Sequence, residues 1–141
     1  MFRRNPLLAA LGAASLAMMM TSCGSPSIPN AGRVLLTIVV TPATADAQAF
    51  TNGQVEFTAT GTFSVAPSPA PVTFVAPYTG GFIVSPNSSN QVIANIVSTG
   101  PGTATVQCVV GMSGTVEVGA TASANNGTST TVSGIAQITC P

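Results

Sequence analysis

The sequence predicts an all-β protein with a single β-sandwich of about seven strands, preceded by a helical signal segment and a short flexible linker. Apolar and polar residues alternate with a period of two in most runs beyond residue 34. Turn signals rich in Gly, Pro and Asn separate these runs at regular intervals. The composition is 45% apolar but only 4% charged, against about 25% in ordinary globular proteins. Such a balance favours packed sheets whose solvent faces carry Thr, Ser, Asn and Gln.

Residues 1–22 have the layout of a bacterial export signal. Two arginines open the segment, and residues 7–20, LLAALGAASLAMMM, are apolar or small throughout. This run is shorter than the about 20 residues that cross a bilayer as a helix. It ends in Met20-Thr21-Ser22-Cys23, which resembles the lipobox of bacterial lipoproteins, where small residues precede the cysteine that becomes the lipidated first residue.

The resemblance to a lipobox assigns lipidation to Cys23 and makes the membrane a partner through the N-terminal lipid. A thiol is required because the diacylglyceryl group is attached as a thioether. The alternative is an ordinary signal peptide with an incidental cysteine. Residues 23–33 then form the lipidated Cys and a linker rich in Pro, Gly and Ser. The same resemblance to proteobacterial lipoproteins implies outer-membrane sorting, because Gly24 and not Asp follows the cysteine. We therefore expect an exported protein held at the outer membrane or cell surface.

The domain is expected to span residues 34–141, and its strands are predicted by alternation. In QVEFTATGTFSV (54–65) the apolar residues share one face, with Gly61 as a possible bend. Similar faces run through TATVQCVV (103–110), TVEVGATASA (115–124) and TVSGIAQITC (131–140). The run VLLTIVV (34–40) is almost continuously apolar, which fits either a covered strand or an edge strand that changes sheets. Asn126-Gly127 between two alternating runs predicts a hairpin.

Cysteine parity predicts a disulfide. If lipid occupies Cys23, the remaining pair Cys108 and Cys140 lies in an exported, oxidising setting. Both residues fall on the apolar face of their own predicted strand, so both are expected to point into the core. The bond would contribute about 3–4 kcal/mol by the chain-entropy model. Two buried free thiols are the alternative.

Several short motifs together resemble bacterial Ig-like domains of group 2. LTIVVTPATADAQAFTNGQVEFTATGTFS is similar to the first half of those domains, with its V-T-P corner and its F-T-A-T-G strand. NIVSTGPGTATVQC and GTVEVGATAS are similar to the second half. Phe82 stands where the family usually has Trp, and residues 67–81 are irregular and Pro-rich. The resemblance implies an Ig-like β-sandwich without implying one particular role.

The composition disfavours catalysis, cofactor binding and metal binding. With no histidine or lysine, the chain has no base that titrates near neutral pH and no amine nucleophile. A zinc site lacks ligands, and Asp46 has no acidic neighbours for calcium. Glu56 and Glu117 lie on the outward faces of different strands, so they form a glycosidase pair only if sheet pairing brings them together. We expect no enzyme, no cofactor and no metal.

The expected function is therefore binding or a structural role rather than catalysis. No basic patch is available for nucleic acid. We expect an envelope lipoprotein that displays its domain for adhesion, protein or glycan interaction, or a structural role. One alternative is a carbohydrate- or small-ligand-binding module that uses the loops near Tyr78, the only tyrosine. Another is an inert spacer or subunit of a larger assembly joined through strand 34–40, which an exposed apolar strip on that strand would favour.

Overall fold

The computed structural model describes residues 32–125 and 129–141. The predicted signal segment, Cys23 and all but the last two linker residues lie outside this part of the chain. Within the described residues no helix is long and apolar enough to span a bilayer. The strands are β1 (Leu35–Thr41), β2 (Thr44–Asp46), β3 (Gln54–Phe63), β4 (Ala70–Pro71), β5 (Gly80–Val84), β6 (Ala94–Gly100), β7 (Thr103–Cys108), β8 (Gly114–Ser123) and β9 (Thr131–Cys140).

Two sheets pack face to face, which confirms the all-β sandwich. The first sheet has the order β1-β3-β7-β6, and β4 pairs with β3 beyond the end of β7. The second sheet has the order β2-β9-β8-β5. All pairs are antiparallel except β2 with β9. In the described part of the chain, seven strands have five or more residues, and β2 and β4 are short additions.

The first apolar run changes sheets. β1 pairs with β3 at the edge of the first sheet, and β2 pairs with β9 in the second sheet after the turn at Pro42 and Ala43. The edge-strand interpretation of VLLTIVV is therefore confirmed over the covered-strand one. The edge position explains why the run is only partly buried. Ile38 and Val40 face the core, while Leu36 and Val39 remain about half exposed.

The strong alternations bury the residues that the sequence predicts. The apolar positions of β3 are buried up to Phe63, and along β8 the alternating residues Val116, Val118, Ala120 and Ala122 are buried. Two inward predictions fail because the strands end earlier than the alternation. Val65 follows the end of β3 and is 58% exposed, and Val110 follows the end of β7 and is 98% exposed.

The core lies between the two sheets and closes where β1 meets β9. Its largest fully buried side chains are Phe57, Leu35, Ile93 and Ile138. At the closure, Gly134 of β9 lies against the backbone of β1. A Cβ built on this glycine would stand 2.5 Å from the carbonyl oxygen of Ile38. Close approach of the two backbones therefore requires glycine at this position.

Two of the turns predicted from Gly-, Pro- and Asn-rich segments can be compared with the structure. Pro101 and Gly102 connect β6 to β7, and Gly102 has a φ of 78°, as the third residue of a type II turn requires. β8 and β9 pair antiparallel up to Ser123 and Thr131, as the hairpin prediction requires. Asn126 and Gly127, which were predicted to form its turn, lie outside the described residues.

Candidate functional site

The strands give the sandwich two ends that are about 30 Å apart, since a ten-residue strand rises about 3.3 Å per residue. At the first end, the chain enters at residues 32–34, β3 ends at Phe63 and β8 ends at Ser123. At the second end, β3 begins, β7 ends and β9 ends at Cys140. Each end carries one arrangement of side chains that bears on function.

At the first end, Arg33, Phe63 and Tyr78 pack together as the Arg33 cluster. The guanidinium lies 3.6 Å from the centroid of the Phe63 ring, which is favourable cation–π geometry. Its Nε donates to the carbonyl of Val65 at 3.1 Å, and its Nη2 donates to the carbonyl of Pro67. The cluster therefore holds the incoming chain against the loop that follows β3.

Tyr78 completes the Arg33 cluster from inside the sandwich. Its ring lies 5.1 Å from that of Phe63 at an interplanar angle of 59°, and its hydroxyl donates to the carbonyl of Arg33 at 2.9 Å. The residue is only 3% exposed. Burial raises the pKa of the Tyr78 hydroxyl above its ordinary value, and the charge of Arg33 opposes this shift.

The burial of Tyr78 bears on the predicted ligand site near it. A ring that stacks against a sugar needs an open face, and the face of this ring is covered by core packing. Phe74 and Phe82 of the same region also pack on each other, with centroids 5.2 Å apart. The Tyr78 ring itself therefore offers no open face for stacking, and its contacts stabilise the place where the chain enters.

The acidic side chains are not brought together. Glu56 is exposed on β3 in the first sheet, and Glu117 is exposed on β8 in the second sheet. Both point away from the core that separates the sheets, so the geometry of a carboxylate pair is not formed. Asp46 accepts a hydrogen bond from the amide of Gln48 at 3.0 Å. Across the described ranges, no three potential metal ligands are grouped.

At the second end, Cys108 and Cys140 connect the two sheets. They form a disulfide with their Cα atoms 5.7 Å apart, so the predicted partners lie at disulfide distance. Cys140 is buried, as expected, whereas Cys108 is only partly buried. Both are the last residues of their strands, and Cys108 is the one that lines the adjoining concave surface.

Beside the disulfide lies an open cleft with a volume of about 380 Å³, which we call the end cleft. One wall is the loop that follows β2, and the other is the turn between β7 and β8. The lining residues are Ala47, Gln48, Phe50, Asn52, Gly53, Cys108, Val109, Val110, Gly111, Met112 and Pro141. The lining is mostly apolar and contains no charged residue. Its volume falls in the range of small-ligand sites.

Local backbone geometry shapes both walls of the end cleft. Asn52 and Gly53 have positive φ values of 58° and 63°, which reverse the chain just before β3. Gln107 of β7 donates to the carbonyl of Asn52 at 3.3 Å and holds this loop in place. In the other wall, Gly111 has a φ of 79°, and the amide of Met112 donates to the carbonyl of Val109 at 3.0 Å.

Sequence reasoning missed the end cleft, although two signals pointed to it. Phe50 is a large aromatic residue in a loop rather than in a strand, and it is 43% exposed. The apolar residues of CVVGM continue past the end of β7. Comparisons of the chain with protein-family models, with curated proteins and with solved structures found no match.

Proposed function

We propose that this protein is a bacterial envelope lipoprotein that carries one Ig-like sandwich on a short lipid-anchored tether. It acts through contact with other molecules, in adhesion, protein interaction or a structural role. The observation that carries the proposal is that Arg33, soon after the lipobox cysteine, is fixed at one end of the sandwich. The opposite end is then free to meet partners.

Strand order supports the Ig-like assignment. Constant-type Ig domains have strands A, B, E and D in one sheet and C, F and G in the other. With β1, β3, β5, β6, β7, β8 and β9 as A to G, the first sheet reads A-B-E-D and the second reads G-F-C. β2 is a short extension of strand A that joins G.

The tether follows from the lipobox resemblance and from the Arg33 cluster. Residues 24–32 lie between Cys23 and Arg33 and span at most about 30 Å when fully extended. The sandwich would therefore stay close to the lipid surface, with its Arg33 end toward the membrane. Two or more acyl chains make such anchoring effectively permanent, because each buried methylene contributes about 0.8 kcal/mol.

A role without catalysis fits the side chains present. Glu56 and Glu117 face outward from opposite sheets, and Asp46 caps a turn. The chain contains no histidine, the side chain that most often acts as a general base near neutral pH. The sandwich instead offers its outer sheet faces, on which Ile83 and Ile135 are more than half exposed, and the apolar end cleft.

Cell fractionation tests the proposal. Wild type, Cys23→Ala and Ser22→Ala are expressed in a bacterium that processes lipoproteins. Wild type and Ser22→Ala, which keeps a small residue before the cysteine, are expected in the membrane fraction. Cys23→Ala is expected to lose its anchor. Equal membrane retention of Cys23→Ala would overturn the anchoring proposal.

A second candidate function is a subunit of a larger assembly joined through β1. Leu36 and Val39 favour it, being 53% and 57% exposed on this strand. The packing of Gly134 against the Ile38 carbonyl opposes pairing of a further strand at that edge. Light scattering in detergent compares the particle size of full-length wild type with that of Leu36→Ser/Val39→Ser. If β1 joins subunits, wild type should form an oligomer and the double variant should be a monomer.

A further inference from the structure

β5 is an edge strand of the second sheet, and its outer edge is unprotected. In the described part of the chain, β8 is the only strand that pairs with it, in an unbroken register from Gly80 to Val84. Its residues, GGFIV, include no charge and no proline. Such an edge presents a row of backbone donors and acceptors to any strand of matching register.

The remaining edge strands of the described sheets each carry a feature that hinders pairing. β1 lies against β9 at Gly134, β6 has a register shift between Ile96 and Ser98, and β2 is only three residues long. β4 is a two-residue strand that ends in Pro71. Natural sheets use covering, bulges, short strands and proline to prevent edge-to-edge contact. Among these described edges, β5 alone lacks such a feature.

The hydrogen bonds at both ends of β5 determine which backbone groups point outward. The amide of Ser123 donates to the carbonyl of Thr79 at 2.9 Å. The amide of Ser85 donates to the carbonyl of Glu117 at 3.0 Å. Because alternate residues of an antiparallel strand turn their backbone groups to the same neighbour, the odd-numbered residues of β5 face β8. The outer edge therefore presents the N–H and C=O groups of Gly80, Phe82 and Val84.

The side of the sandwich at β5 is accessible to a further strand. Phe82 and Val84 are only partly buried, whereas their partners on β8, Ala120 and Val118, are fully buried. The ring of Phe82 is held by that of Phe74, with centroids 5.2 Å apart, and both rings pack against the core. The strand therefore offers its backbone, rather than a loose side chain, to a partner.

The sequence of β5 matches itself in an antiparallel pair. With Phe82 opposite Phe82 of a second copy, Gly80 falls opposite Val84, so the outward backbone groups meet in hydrogen-bonded pairs and form about six bonds. On the outer face, Ile83 is 53% exposed and falls opposite Gly81 of the second copy. A Cβ on Gly81 meets nothing within 4 Å, so this space is open to the Ile83 side chain. The fit is reciprocal, as a symmetric dimer requires.

Charge and tether geometry both permit this pairing. The exposed Glu117 lies level with Ser85, so the two copies' Glu117 carboxylates stand near opposite ends of the paired strands, beyond the about 8 Å Debye length. Tyr78 bonds the Arg33 carbonyl and leads into β5, so the chain enters beside the shared strands. The starts of the paired strands lie about 14 Å apart. Linkers that span at most about 30 Å can therefore reach one bilayer, and this step alone rests on the proposed lipid anchor.

We propose that β5 pairs antiparallel with β5 of a second copy of this protein, centred on Phe82, and joins the two second sheets into one continuous sheet. Ile83 of each copy packs over Gly81 of the other. The pairing gives the proposed role in protein interaction a defined partner, which is another molecule of the same chain.

Particle mass in detergent tests the proposal with the full-length protein. Wild type is expected at twice the mass of one chain. Gly81→Lys/Ile83→Lys is expected at half the wild-type mass, because like charges directly opposite each other on two strands are destabilising. Ser133→Lys/Ile135→Lys places the same charges on β9 at the same level of the sheet, away from the edge, and is expected to stay dimeric. Circular dichroism verifies that each variant is folded.

Cysteine cross-linking tests the register. Gly81→Cys and Ile83→Cys are oxidised separately and after mixing. The proposed register brings the two different sites to about 4.5 Å between Cα atoms, which suits a disulfide. Like sites lie about 7–8 Å apart across the pair, too far for a disulfide. The cross-linked dimer is therefore expected in the mixture and absent from either variant alone.

Several results would overturn the proposal. A monomeric wild type would leave the edge to a strand of another protein, and a dimer that persists in Gly81→Lys/Ile83→Lys would exclude β5. Loss of the dimer in Ser133→Lys/Ile135→Lys would indicate stacking of sheet faces. Cross-linking of either cysteine variant alone would indicate another register.

Two further variants separate this proposal from the earlier ones. Leu36→Ser/Val39→Ser is expected to remain a dimer, and its dissociation would indicate assembly through β1 instead. Failure of the lipid anchor appears in the fractionation of Cys23→Ala, whereas failure of the β5 pairing appears in the particle mass and in the cross-links.

Discussion

The guanidinium of Arg33 stacks on the ring of Phe63 at 3.6 Å from its centroid, and so joins the entering chain to the end of β3. Phe63 in turn packs on Tyr78, whose hydroxyl bonds back to the Arg33 carbonyl. The chain entry is thus tied to both sheets, since Tyr78 leads into β5 of the second sheet. The Arg33 cluster therefore fixes where the described chain joins the sandwich.

Replacing Arg33 with Ala should lower the free energy of unfolding by about 1 kcal/mol, because the cation–π contact and the bonds to two carbonyls are lost. Arg33→Lys keeps the charge but lacks the planar fork, so its loss should be smaller. Urea unfolding followed by circular dichroism measures both variants. An Arg33→Ala variant as stable as wild type would show that the cluster contributes nothing to the fold.

Tyr78 should ionise above pH 10 in the folded protein, because burial is the main cause of its raised pKa. It is the only tyrosine and the chain has no tryptophan, so absorbance near 295 nm reports this residue alone. A phenol whose pKa is higher when folded stabilises the fold below the unfolded pKa and loses that contribution as pH rises through the folded value.

The free energy of unfolding should therefore fall as the pH rises above about 10. In Tyr78→Phe this part of the fall should be absent, although the variant also loses the hydrogen bond to Arg33. Denaturant titrations at several pH values measure the difference. Identical pH profiles for wild type and Tyr78→Phe, or ionisation of Tyr78 at or below pH 10, would contradict this account of its burial.

Gly134→Ala should destabilise the sandwich by about 2 kcal/mol or more, because the new methyl group must displace the backbone of β1 at Ile38. Gly81→Ala is the matched control in β5, an edge strand of the same sheet. A Cβ there meets nothing within 4 Å, so the variant should be as stable as wild type or slightly more stable. Thermal unfolding compares them, and equal losses would show that the β1–β9 contact is not tight.

The Cys108–Cys140 disulfide should contribute about 3–4 kcal/mol to stability by the chain-entropy model. Reduction should add the mass of two hydrogens and lower the denaturation midpoint. Cys108→Ala/Cys140→Ala should show the same midpoint with or without reductant, while Cys23→Ala should respond like wild type. No change of mass on reduction of wild type would rule out the bond.

The regular parts of this fold could be predicted from the sequence because their alternation is long. β3, β8 and β9 each run for ten residues, and a period of two over that length determines which face is buried. The same alternation puts Cys108 and Cys140 on the apolar faces of their strands, and cysteine parity then predicts their pairing. It failed at Val65 and Val110, since apolar residues can continue past the last ladder hydrogen bond, and pattern alone does not indicate where a strand ends.

The two ends of the sandwich could not be predicted because they depend on contacts between segments distant in sequence. Arg33 meets Phe63 and Tyr78 only after β1 has paired with β3. The end cleft likewise forms from residues 47–53 and 108–112, which no local pattern connects. Composition makes Tyr78 the single tyrosine available for ligand contact, but its burial between Phe63 and the Arg33 carbonyl depends on contacts that no local pattern shows.

The most direct test of the tethered-sandwich account is the intact mass of the protein recovered from membranes of a bacterium that processes lipoproteins. The account predicts a chain that begins at Cys23 and carries the added mass of a diacylglyceryl group on that residue. Delipidation by base should release the ester-linked acyl chains. An unmodified chain that begins at Met1, or one cut elsewhere without lipid, would contradict it.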